Sequence, residues 1–87
     1  MNIQYLTQMA NSIGEFFQTM PNVEEAEREV VQHLRRFWDP RMREQLLEHL
    51  DAQAGTGLLP FVKHAVLRHR QDLNVGVNAD AAKSGSI

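Results

Sequence analysis

The sequence predicts an all-α fold: a small bundle of three main helices plus a short fourth, followed by a disordered C-terminal tail. Three observations carry this. Apolar residues recur at steps of three and four from Ile3 to Leu67, which is the helical period. Capping or breaking residues bound each periodic segment. No stretch alternates as a strand would, and no internal repeat is present.

The first helix is expected over about Asn2 to Thr19, with an apolar stripe of Ile3, Leu6, Met9, Ala10, Ile13, Phe16, Phe17 and Met20. Gly14 interrupts it, although glycine costs about 1 kcal/mol relative to alanine inside a helix. Close packing against another helix accounts for that choice, with a hinge as the alternative. Met20-Pro21-Asn22 ends the segment. Asn22 then offers an N-cap, and Glu25 three residues on completes a capping box. Glu24, Glu25, Glu27 and Glu29 crowd the start of the second helix and Arg35 and Arg36 its end, both in the sense that the helix dipole favours. Its inner face reads Val23, Ala26, Val30, Val31, Leu34, Phe37 and Trp38, giving a span of about Val23 to Trp38.

Asp39-Pro40 makes a corner. The residue before a proline avoids the α region, and Pro40 suits the first position of a new helix. That third helix runs to about Gln53 and buries Met42, Leu46, Leu47 and Leu50, while Arg41, Arg43, Glu44, Glu48 and Asp51 face outward. Ala54-Gly55-Thr56-Gly57 stops it. Leu58-Leu59-Pro60 opens the short fourth helix, to about Arg70. The pattern fails at Asp72, so residues 1–71 are read as the helical domain and 72–87 as a flexible tail.

Eighty-seven residues without a cysteine make one domain that no disulfide or thiolate-bound metal can staple. A core of this size contributes little, so binding of a partner to the folded state is a natural source of stability. The net charge of −2 and the absence of a membrane-length apolar run or a signal-peptide pattern point to a cytoplasmic protein with no membrane partner.

The chain shows no catalytic pattern. Ser12, Ser84 and Ser86 lack the context of an activated nucleophile. Gly55-Thr56-Gly57 lacks the length and the lysine of a phosphate-binding loop. Glu29 and His33 could supply two metal ligands at most, and His64 and His69 are turned about 140° apart on a helix. His33 and His49 read as ordinary helix residues near the core edge. Glu44 and Glu48 read as a solvated face. No catalytic, cofactor-binding or metal-binding residue is therefore assigned.

The densest run is His33 to Met42, where the only Trp lies beside Phe37 and among Arg35, Arg36, Arg41 and Arg43. Tryptophan and arginine together favour binding hot spots. Phe37 and Trp38 point about 100° apart on a helix, and the expectation is Phe37 inward and Trp38 at the rim. The predicted partner-binding set is Arg35, Arg36, Trp38, Arg41 and Arg43. A nucleic-acid or regulatory interaction module using those four arginines is the alternative, opposed by Glu44, Glu48 and Asp51 on the same helix, which a phosphate backbone would repel.

Two blocks carry a family resemblance: Met9-Ala10-Asn11-Ser12-Ile13-Gly14-Glu15-Phe16-Phe17, and His33-Leu34-Arg35-Arg36-Phe37-Trp38-Asp39-Pro40-Arg41-Met42-Arg43. Together with Leu46-Leu47-Glu48-His49-Leu50 and Gly55-Thr56-Gly57-Leu58-Leu59-Pro60, they resemble the delta subunit of NAD-dependent formate dehydrogenases, over roughly residues 3 to 68. The resemblance implies a non-catalytic accessory subunit of a cytoplasmic complex, binding the large catalytic subunit and supporting its assembly, stability or cofactor loading. It implies that the bis-molybdopterin guanine dinucleotide centre, the iron–sulfur clusters, FMN and NAD belong to the other subunits, and that this chain binds none of them. Weak self-association of the isolated chain is a further expectation.

Overall fold

The computed structural model describes residues 2–74, so of the tail expected over 72–87 the part from 75 to 87 lies outside the described residues. The order is α1 (Ile3–Phe17), α2 (Val23–Phe37), α3 (Pro40–Gln53), α4 (Pro60–Arg68) and a single turn α5 (Arg70–Leu73), with no strand among the described residues. The all-α expectation therefore holds.

Side-chain caps set the starts of the three long helices. Oδ1 of Asn2 accepts from the Gln4 amide at 2.7 Å, Oδ1 of Asn22 from Glu25 at 2.9 Å, and Oδ1 of Asp39 from Met42 at 3.0 Å. Each answers an amide that the helix start leaves without an internal partner. Pro40 follows Asp39 as the first residue of α3, so the predicted corner forms as expected. At the other end of α3 the chain turns through Ala54 (φ 55°) and Gly55 (φ 71°), and the Gly55 amide donates back to the His49 carbonyl at 3.3 Å.

The core gathers Leu6 and Ala10 of α1, Val30, Val31 and Leu34 of α2, Leu46, Leu47 and Leu50 of α3, and Val62, Ala65 and Val66 of α4. Leu73 of α5 joins them, fully buried. The helical unit thus reaches past position 71, where the sequence pattern placed its end. The expected fourth helix breaks at His69 (φ −112°, ψ 30°), and the extra turn brings Leu73 back onto the core.

Helix α2 packs against α1, α4 and α5. Its pairing with α4 is antiparallel: Glu27 meets His64, and Glu24, one turn earlier, meets Arg68 at 3.3 Å, one turn later. Glu27 is only 2% exposed, so His64 answers a carboxylate that has little access to water. The Glu24–Arg68 pair is solvated and contributes little. Between α3 and α5, the Arg70 guanidinium donates twice to Asp51, at 2.8 and 2.6 Å.

Gly14 is a packing residue. A Cβ there would sit 2.2 Å from Cγ2 of the buried Val62, so only hydrogen lets α1 approach α4 this closely. Gly14→Ala gains about 1 kcal/mol in helix propensity and loses more through overpacking, which costs about 1–3 kcal/mol. A net loss of up to about 2 kcal/mol is expected in urea denaturation, shrinking in a Val62→Ala background.

The hydrogen bonds from Arg70, and secondarily its charge, hold the Asp51 carboxyl below its usual value of 3.8. A carboxyl lowered in the folded state contributes stability that is present above 3.8 and lost as the pH falls through the folded value. Asp51→Asn should therefore lower the melting temperature slightly at neutral pH, because the pair is solvent-exposed. The difference from wild type should vanish on acidification through that range.

Candidate docking surface

The predicted site residues divide at the Asp39-Pro40 corner. Arg35, Arg36 and Arg41 are exposed, and Arg43 is half-buried. Trp38 is 4% exposed and belongs to the core, whereas Phe37 is 69% exposed. This reverses the expectation of Phe37 inward and Trp38 at the rim. Both residues flank the apolar stripe of α2, so the helix period alone does not separate them. The backbone does: Trp38 is the C-cap, with ψ 136°, and its ring folds inward as the chain turns. Trp38 is therefore unavailable as a surface anchor.

Three further expectations are corrected. Phe16, assigned to the core stripe of the first helix, is 70% exposed, and Val23, assigned to the inner face of the second, is also exposed. Arg43, expected to face outward, buries its Nε without a hydrogen-bond partner.

Phe37 joins a row of rings. Phe16 meets Phe17 edge-on at 5.0 Å between centroids, Phe17 meets His33 at 6.0 Å, and His33 meets Phe37 at 4.7 Å. Such pairs are favourable arrangements of the ring quadrupoles. Phe17 is seated against the core, so the row is anchored at its middle and presents Phe16 and Phe37 to solvent. The sequence contained the signal in Phe16-Phe17, two adjacent rings that cannot both face inward. It did not show that the end of α1 meets the C-terminal half of α2.

The arginines around the corner have no ion pair among the described residues, in contrast to Arg68 and Arg70. Helix geometry orders them about the rings. Arg36 lies about 60° from His33 and about 100° from Phe37, while Arg35 is turned about 160° from Phe37, onto the opposite edge of α2. Arg36 therefore flanks the aromatic row, and Arg35 does not.

A second feature was not foreseen. Nδ2 of Asn11 on α1 donates to the Gly57 carbonyl at 2.9 Å, and its Oδ1 accepts from the Leu59 amide at 2.9 Å. The His49 ring bonds the Thr56 carbonyl at 2.7 Å; a carbonyl only accepts, so Nε2 carries the proton. The loop between α3 and α4 is thus pinned from both sides.

An open cleft of about 450 Å³ lies where α4 breaks into α5, and another of about 230 Å³ lies beside Ile3 and His49; neither is lined by Ser, Thr or Cys. No group of three or more metal-ligating side chains comes together among the described residues. No helix among them is long and apolar enough to cross a membrane.

A small helical body that shows solvent a row of rings beside unpaired guanidinium groups has the chemistry of a protein-binding module. A family model described as the NADH-dependent formate dehydrogenase delta subunit FdsD matches residues 5–66, and the chain belongs to that family of accessory subunits. No curated protein and no solved structure matches the chain.

The opposite roles of the two neighbouring rings are measurable. Trp38→Ala should cost about 3–5 kcal/mol of unfolding free energy, as for a buried aromatic. Phe37→Ser should stay within about 0.5 kcal/mol, as for a surface change. Chemical denaturation of both variants checks the contrast.

Proposed function

We propose that this chain is a non-catalytic subunit that docks on the large catalytic subunit of a cytoplasmic formate dehydrogenase and supports its assembly, stability or cofactor loading. Family membership supplies the complex. The observation that carries the docking is the solvent-facing pair Phe16 and Phe37, held in one aromatic row on two helices. The docking face comprises these rings with Arg36 and Arg41; Arg35 lies on the far edge of α2 and Arg43 is half-buried, so both fall outside it. Trp38 acts from beneath, by fixing the corner. In this reading the chain binds no cofactor itself, and the molybdenum centre, the iron–sulfur clusters, FMN and NAD are held by the other subunits.

Co-expression with the large subunit tests this. Phe16→Ser with Phe37→Ser should leave a folded chain by circular dichroism and reduce its recovery with the large subunit at least about tenfold, since aromatic anchors dominate interface energetics. The molybdenum content of the large subunit, measured in parallel, reports whether loading falls with docking. Recovery at the wild-type level would remove this face from the function.

A further inference from the structure

We infer that the partner segment seated on the Phe16–Phe37 row is acidic: an apolar side chain covers the rings while a carboxylate meets Arg36, with Arg41 as a second contact. This rests on the docking role proposed above and adds the chemistry of the occupant. Exposed rings alone would accept any apolar surface. The charges at their edge narrow the choice. Arg36 is exposed, has no ion pair among the described residues, and is carried by the helix that presents Phe37. Arg41 stands at the start of α3 just beyond the corner, also exposed and unpaired. Asp39, the carboxylate between them in sequence, accepts from the Met42 amide as the cap of α3. The corner therefore offers cationic forks that the fold leaves unanswered, and a planar guanidinium matches a carboxylate in two parallel hydrogen bonds.

The same surroundings disfavour a nucleic acid. Glu15 adjoins Phe16, and Glu29 lies two turns before Arg36 on nearly the same line of α2, both exposed. A continuous phosphate backbone would meet these carboxylates, whereas a protein segment with one or two acidic side chains would not. A second copy of the chain is a weaker candidate, because pairing the row with itself would oppose Arg36 and Arg41 to like charges.

The test measures the affinity of the full chain for the large subunit at about 0.05 M and about 0.5 M salt, conditions that differ strongly in screening. Arg36→Glu with Arg41→Glu should weaken binding at least about tenfold at low salt and only about twofold at high salt, as expected for charged contacts at an interface rim. Arg36→Lys, which keeps the charge but not the planar fork, should bind between wild type and the reversal. Arg28→Glu, exposed and turned about 180° from Phe37 on α2, should change nothing. Phe16→Ser with Phe37→Ser should weaken binding at both salt levels. If the charge reversal binds like wild type while the double Ser variant does not, docking through the rings stands and the acidic occupant is wrong. If neither variant loses affinity, the docking face itself is wrong. Sedimentation showing that the reversal dissolves a dimer of the isolated chain, with large-subunit binding intact, would overturn the inference in favour of a second copy. Competition of binding by duplex DNA would overturn it in favour of a polyanion.

Discussion

Covering one face of α2 is the constraint from which the rest of this structure follows. Val30, Val31 and Leu34 are almost wholly removed from water, and three other elements share the task. Helix α4 can lie close because Glu27 meets His64, so the carboxylate on that face is buried with a partner rather than alone. Helix α1 reaches α4 closely because position 14 carries no side chain. Trp38 closes the end of the stripe. A chain of this length has few apolar residues to spare, so each contact represents a large share of a small total.

Much of this was legible in the sequence. The capping residues Asn22 and Asp39 and the Pro40 start predicted helix boundaries to within a residue or two, because such signals are local. Gly14 as a packing residue was legible for the same reason: a glycine inside an apolar stripe has few other uses. What depends on tertiary neighbours was not. Phe37 and Trp38 sit either side of the same stripe, and only the path of the chain after the helix assigns one inward. The Glu27–His64 and Asp51–Arg70 pairs join residues 37 and 19 positions apart, and no periodicity announces them. Leu73 lay in a segment whose pattern had already faded. The sequence reading therefore set Trp38 at the rim and Phe37 inward, and the structure has them the other way round.

The surface arrangement has its own logic. Two large rings in water sacrifice hydrophobic stabilisation that burial would have supplied, worth about 2 kcal/mol each. In the proposed complex a partner covers them and offsets that loss. The arginines at their margin add direction: apolar contact alone tolerates many orientations, whereas charged forks favour the one that meets carboxylates. Covering such a face would strengthen the fold as well as the proposed complex, because binding favours the folded state.

Asn11 carries an implication for how the chain comes together during synthesis. Its amide belongs to α1, yet both of its partners, Gly57 and Leu59, lie 46 and 48 residues later. Until the ribosome has released the loop after α3, the first helix cannot adopt its final seat, and the face around Gly14 waits for Val62. The seating of α1 therefore depends on residues that follow Asn11 by 46 and 48 positions.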